Sequence, residues 1–328
     1  VDLGLLFFFK YLNFFVENIC AVTGFKAHTI DVALPLGISF YTFQIMSYII
    51  DVYRKKYPAG RNLIEVAAYI SMFPQLIAGP IVTFDEVQPR LRERKISPAN
   101  IENGLLLFVV GLVYKVMLAN QIAALWNDVM VAGVMGINTA TAWLGAWGYS
   151  MQIYFDFLGY SLMAIGMGYM LGFRFPKNFS NPYCAVSVTD FWRRWHITLG
   201  RWFREYVYIP LGGNKKGKFR LVINTFIVWF LTGLWHGAAW NFIIWGMFFF
   251  ILMMLEKFIY LRFLEKHPII GYLYMLIIIP VSWVIFNISN LGELKLYLLR
   301  MFGNHAVSGV PLGGMEKFVS LFGKYWWM

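Results

Sequence analysis

Two histidines carry the chemistry this chain could perform. His236 stands in the string Leu234-Trp235-His236-Gly237, inside the strongly apolar run 226–250. An ionisable side chain at membrane depth is costly and by default marks a functional site. His196 lies upstream in the crowded string Asp190-Phe-Trp-Arg-Arg-Trp-His196. Imidazole is the side chain that exchanges protons near neutral pH. One histidine in an apolar run and one in an Arg- and Trp-rich segment therefore point to proton transfer performed at a membrane. Each has a plainer alternative: His236 as a structural histidine bonded to a neighbouring helix, His196 as an orienting residue. Asp156, also within an apolar run, either pairs with a nearby cation or meets substrate. His28, His267 and His305 lie at segment edges and read as interfacial. Cys20 and Cys184 form neither a CxxC pair nor a metal-ligand spacing, so no metal site is expected.

Apolar helices must position these residues. The chain is 59% hydrophobic and 14% charged, against roughly 25% charged residues in soluble domains. Its 31 Phe, 19 Tyr and 13 Trp suit lipid contact and interfacial belts. This composition predicts a multi-pass, all-α membrane protein. The net charge of +11 sits in short basic clusters between apolar runs, which favours the positive-inside signal and anionic lipid over nucleic acid. Candidate spans are 3–25, 32–53, 63–82, 102–126, 140–172, 221–238, 239–261 and 269–290, with a mixed tail from 291 to 328. No repeat or linker divides them, so residues 1–328 are expected to form a single integral membrane domain. The chain opens inside a hydrophobic run and stops at Trp326-Trp327-Met328, which suggests a fragment lacking N- and C-terminal spans. No basic stretch precedes the first apolar run, so no cleavable signal peptide is expected.

Placing all basic clusters on the cytoplasmic side requires an even number of crossings between them. The pairs 102–126/140–172 and 221–238/239–261 satisfy this, but 63–82 does not. It carries Pro74 and Gly79-Pro80, which break regular helix, so it is expected to be re-entrant, dipping in and returning; the alternative is one extracellular basic cluster. Segment 178–216 is too charged to span and too aromatic for a free loop. Helical spacing from 189 to 205 puts Trp192, Trp195, His196, Leu199, Trp202 and Phe203 on one stripe. It is either an amphipathic helix at the interface or a cytoplasmic-side helix folded into the core.

The strings Asp190-Phe-Trp-Arg-Arg-Trp-His196, Tyr208-Ile-Pro-Leu-Gly-Gly-Asn214 and Leu234-Trp-His-Gly237 together resemble the membrane-bound O-acyltransferase (MBOAT) family. The branch looks like the bacterial alginate O-acetyltransferase type, related to the D-alanyl transfer proteins of teichoic acid synthesis. Leu34-Pro-Leu-Gly-Ile-Ser-Phe-Tyr-Thr-Phe43 and Gln152-Ile-Tyr-Phe-Asp-Phe-Leu-Gly-Tyr-Ser161 agree with it. The resemblance covers about residues 32 to 260. It implies a helical bundle around a central tunnel, with His236 as the catalytic histidine and His196 as the second histidine of this branch. Relatives often carry Ser and Asp where this chain has Leu158 and Leu162, which puts a polar role for those two positions in doubt.

O-acylation needs a weakly nucleophilic hydroxyl to attack a thioester or an acyl-enzyme, and a neutral imidazole within reach can take the proton as general base. Donors for the developing oxyanion would come from the indoles of Trp235 and Trp240, the amide of Asn241, or backbone N–H groups near Gly237. Asp190, Trp192, Arg193, Arg194, Trp195, Arg201 and Asp156 complete the expected substrate- and donor-binding set. The arginines would steer an anionic donor, acetyl-CoA or an acyl-carrier thioester, with no tightly bound cofactor. The expected acceptor is an exported polysaccharide or cell-envelope glycan, as in alginate biosynthesis. Expected partners are the lipid bilayer, a cytoplasmic acyl carrier and an extracytoplasmic acyltransferase, at the bacterial inner membrane. Two other readings stay open: a transporter of acyl groups or glycan, and a scaffold relaying acyl groups to a separate transferase.

Overall fold

The computed structural model describes residues 2–26, 29–30, 32–60, 62–76, 79–303 and 314–326. His28, Arg61 and His305, together with Trp327 and Met328, lie outside them. Every regular element among the described residues is helical. Five helices are long and apolar enough to cross a membrane: Asp2–Thr23, Pro98–Val131, Gly217–His236, Trp240–Lys266 and Pro268–Asn287. A spanning helix needs about 20 apolar residues at 1.5 Å each, and all five meet that length. Thr139–Met170 is longer still, at 32 residues, but it buries the polar side chains Thr141, Ser150 and Ser161.

The segment 63–82 contains no continuous helix of spanning length. It is a nine-residue helix, Leu63–Ser71, and a four-residue turn, Phe73–Leu76. Nine residues cover only about 14 Å. The Asn62 side chain caps its start by accepting from Ile64 N–H, and Pro74 prevents the two pieces from fusing. Segment 32–53 is likewise helical only over Ile38–Tyr53, and the tail forms Leu291–Met301 and Met315–Tyr325.

The helices gather into two compact units built from discontinuous stretches. The first comprises Val1–Phe108, Met163–Asn178 and His196–Ala239; the second comprises Val109–Leu162, Phe179–Trp195 and Trp240–Met328. In the first, Phe43, Ile81, Leu199, Trp202, Phe203 and Trp235 form one core cluster. Phe43 stacks on Trp202 with centroids 3.7 Å apart and on Trp235 at 5.4 Å. Gly104 and Gly166 let two helices touch backbone to backbone. A Cβ at Gly104 would lie 2.6 Å from the Gly166 oxygen, and one at Gly166 2.5 Å from the Gly104 oxygen. Such close approach through small residues is how helices pack in lipid, where the hydrophobic effect no longer drives them together.

In the second unit, buried Glu256 reaches the start of the helix Val188–Arg194. It accepts from Val188 N–H at 2.5 Å, Thr189 N–H at 2.9 Å and Thr189 Oγ1 at 2.7 Å. A carboxylate there satisfies donors that have no partner within the helix. Trp192, Trp195, Trp245 and Trp283 pack in a connected aromatic group, with Trp195 and Trp283 4.8 Å apart.

Candidate active site

His196 does not sit on a continuous helix. The expected stripe from 189 to 205 is broken into Val188–Arg194 and Ile197–Phe203, because His196 itself is left-handed, at φ 44° and ψ 52°. This conformation is uncommon for a residue with a Cβ and costs on the order of 1 kcal/mol, so the surroundings must enforce it. Asn178 does so. Its carbonyl accepts from Ile197 N–H at 3.0 Å, and its side-chain Oδ1 lies 3.1 Å from His196 Nδ1. The same Oδ1 accepts from Thr198 Oγ1 at 2.9 Å and from Thr198 N–H at 3.4 Å. Thr198 Oγ1 in turn accepts from Ile81 N–H at 3.0 Å.

These contacts assign a tautomer. A backbone N–H can only donate, so the Asn178 atom facing Thr198 is the oxygen, and Nδ1 of His196 must carry the proton. The Nε2 lone pair is then the basic one. His196 is 3% exposed, and burial holds its imidazole down at about 3, well below the usual histidine value. It is therefore neutral at physiological pH.

His236 is the last residue of the helix Gly217–His236. Gly237 leaves in extended conformation. Twenty residues place His236 about 30 Å along the axis from Gly217, so it lies at the opposite end from the exposed Lys215, Lys216, Lys218 and Arg220. Trp235 stands beside both histidines, 6.3 Å from His196 and 4.9 Å from His236 between ring centroids. His236 lies within electrostatic range of His196 and Lys10. Tyr11 OH donates to Leu234 O at 2.8 Å, and Lys10 Nζ donates to Trp235 O and to Ser39 Oγ at 3.0 Å.

A cavity of about 190 Å³ opens on the other side of Thr198, walled by Lys56, Asp85, Glu86, Arg201 and Tyr206. Most of its charges are paired, and with Glu205 also on the wall its carboxylates outnumber its cations. Arg201 forks onto Glu86 at 2.7 and 3.0 Å, and Lys56 bridges Asp51 at 3.2 Å and Asp85 at 3.0 Å.

The structure therefore brings together three of the residues singled out from sequence, His196, His236 and Trp235, with Arg201 in the same unit on the cavity wall. The others belong to the second unit. There Arg194 pairs with Asp190 at 3.0 Å, and Arg193 is exposed. Trp192 and Trp195 join the tryptophan group. Asp156 pairs with Lys115. Asn241 donates to Phe286 O at 2.7 Å, tying two helices together. His267 is exposed, just past the helix Leu261–Lys266, and its Nδ1 lies 2.9 Å from Phe263 O. Asn178, Thr198, Glu86 and Lys10 escaped sequence reasoning. Lys10 carried the same signal as His236, an ionisable group in an apolar run. Glu86 is legible only as the fourth residue of a capping box beginning at Thr83.

The sequence model of the membrane-bound O-acyltransferase family matches residues 58–291, more than half of the chain and the whole stretch from the broken segment to the last spanning helix. The chain belongs to the membrane-bound O-acyltransferase family. Like other members of a membrane family, this MBOAT chain is multi-pass, through its five spanning-length helices. It is 43% identical to the "Probable alginate O-acetylase AlgI" of Pseudomonas putida, over 92% of this chain and 62% of that protein. It is 35% identical to the "Peptidoglycan O-acetyltransferase" of Helicobacter pylori, over 98% of this chain and 66% of that protein. It is 30% identical to the "Teichoic acid D-alanyltransferase" of Bacillus subtilis, over 66% of this chain and 58% of that protein. The MBOAT chain spans about three fifths of the length of the alginate O-acetylases it matches.

Proposed function

We propose that this protein is a membrane O-acyltransferase that moves an acetyl or other short acyl group from a cytoplasmic thioester to a hydroxyl of an exported polysaccharide or cell-envelope glycan. The observation that carries the proposal is the pair of histidines flanking Trp235. One ends a spanning helix about 30 Å from that helix's basic end, and the other is buried with its tautomer set by Asn178. Two relatives, an alginate O-acetylase and a peptidoglycan O-acetyltransferase, support the reaction class and the glycan acceptor.

In the proposed reaction His236 accepts the acceptor hydroxyl's proton as the oxygen attacks the thioester carbonyl. The C–O bond forms, and the tetrahedral intermediate collapses with cleavage of the C–S bond. The leaving thiolate takes the proton from the imidazolium, so the enzyme ends the cycle unchanged. A positioned base supplies roughly 10²- to 10⁴-fold, and N–H donors aimed at the oxyanion supply a comparable factor. His196, neutral and presenting Nε2, stands as an acceptor that orients a hydroxyl or thiol proton near the same indole.

The donor is an acyl-carrier thioester or acetyl-CoA, and an approach through the cavity beside Thr198 has to overcome its excess of carboxylates. Arg201 on that wall is already bound to Glu86, so recognition of an anionic donor there requires exchange of partners. Arg193, exposed, needs no such exchange. The positive-inside rule puts the basic end of Gly217–His236 in the cytoplasm, which leaves His236 toward the outer face of a bacterial inner membrane. A cytoplasmic acyl carrier would supply the donor, and an extracytoplasmic acyltransferase is the partner in the alternative in which this protein relays the acyl group instead of placing it on the glycan.

The test is mass spectrometry of envelope glycans from cells carrying the protein, its His236→Ala variant, or neither. Base-labile acyl esters should appear with the parent alone. Equal ester content in parent and variant, with equal membrane insertion, would overturn the assignment of His236.

A further inference from the structure

Lys10 is a cation within an apolar helix whose purpose acyl transfer leaves open. It stands in the interior of the apolar helix Asp2–Thr23, far from either end of a span. It is partly buried, and among the described residues no carboxylate pairs with it. A lysine near a helix end can reach the interface with its flexible stem. This one instead points inward, where its ammonium donates to Ser39 Oγ and Trp235 O and lies 5.7 Å from the Trp235 ring centroid. The preceding and following geometry is specialised as well, because Phe7–Tyr11 is a π-turn. Such turns are frequent at functional sites.

The acceptors explain the placement. Leu234 and Trp235 are in the last turn of Gly217–His236, where backbone carbonyls have no partner within the helix and the helix dipole presents its negative end. Gly237 departs in extended conformation, which ends the helix there. Tyr11 and Lys10 close it from a neighbouring helix, one carbonyl each. Leu6, Tyr11 and Ile38 pack against Leu234 and Ala238 around the same end. His236 is the next residue, so the orientation of its imidazole depends on the turn that these two side chains hold.

We infer that Lys10 is a positioning residue for His236: with Tyr11 it caps the C-terminus of the histidine-bearing helix from outside, and its cation complements the negative helix end beside the reacting group. Lys10 lies outside residues 58–291, the stretch matched by the family's sequence model. The inference rests on the acyl-transfer reading above.

The experiment compares glycan ester content per membrane-inserted protein in cells carrying the parent, Lys10→Met, Lys10→Arg, Tyr11→Phe and His236→Ala. Misplacement of a catalytic group by about 1 Å costs roughly 100-fold. Lys10→Met, which keeps the length of the side chain and removes the charge, should lose at least 10-fold. Lys10→Arg, which restores a cation and donors, should recover most of that loss. Tyr11→Phe should fall between parent and Lys10→Met. Thermal unfolding of each purified variant separates loss of fold from loss of positioning. Parent-like ester content in Lys10→Met, or failure of Lys10→Arg to recover a well-folded protein's activity, would overturn the positioning role. If His236→Ala itself retains parent activity, the acyl-transfer reading falls instead, so the two failures are distinguishable.

Discussion

Replacing Asn178 by Leu removes an acceptor at nearly constant volume and tests the arrangement around His196. Oδ1 takes His196 Nδ1–H at 3.1 Å and Thr198 Oγ1 at 2.9 Å, with a weaker bond from Thr198 N–H at 3.4 Å. All three residues are at most 3% exposed, so water does not readily replace the lost partner. An orphaned buried donor costs about 1–3 kcal/mol. Two strong donors therefore predict a stability loss of about 3 kcal/mol. Activity should fall further than stability alone requires. Without an acceptor at Nδ1 the proton is free to move to Nε2, and the left-handed backbone at His196 loses a tether. Loss of one net hydrogen bond of about 1 kcal/mol corresponds to roughly fivefold, and misorientation adds to it, for an expected drop of at least 10-fold per folded molecule. Asn178→Asp is the companion variant. It keeps the acceptor, so geometry should survive, and its carboxylate should raise the His196 pKa from its depressed value toward the usual range, introducing an acid limb in the activity profile. Thermal unfolding in detergent and ester mass spectrometry read the two effects separately. Parent-like stability and parent-like ester content in Asn178→Leu would refute the role assigned to Asn178.

Acid sensitivity should follow from the same histidine. With a folded value of about 3 and an unfolded value of about 6.5, the unfolded chain binds a proton between those limits and the native protein does not. Stability then falls by about 1.4 kcal/mol per pH unit below about 6.5 and is unaffected by this group above it. The slope of unfolding free energy between pH 6.5 and 5 should be shallower in His196→Gln; identical slopes would contradict the buried, neutral imidazole. In the second unit, Glu256→Ala should cost about 3 kcal/mol, because three donors at the start of Val188–Arg194 lose a buried acceptor, while Glu256→Gln, which retains one acceptor oxygen, should cost less. Limited proteolysis around residues 185–195 would report that loosening, and unchanged cleavage in Glu256→Ala would argue against the anchor.

Composition and period were enough to establish a multi-pass helical protein, because the membrane demands long apolar helices and leaves that demand in the sequence as runs of about 20 residues. The break at 63–82 was legible for the same kind of reason: Pro74 cannot continue a helix, whatever surrounds it. His236 announced itself by being ionisable in an apolar run. The MBOAT family was legible in short strings around both histidines. What the sequence could not reveal was anything set by contacts between residues distant along the chain. Period alone made 189–205 one helix; the structure breaks it because Asn178, from another segment, offers partners that hold His196 in a left-handed conformation. Arg201 read as a free anion-binding cation, yet Glu86 occupies it across the fold. Lys10 drew no attention as a sequence residue, and only the tertiary structure brings it to the carbonyl beside His236. Local sequence decides where helices form, since their hydrogen bonds are local. Which side chain finishes a helix end, fixes a tautomer or neutralises a charge depends on segments that meet only after the chain has packed.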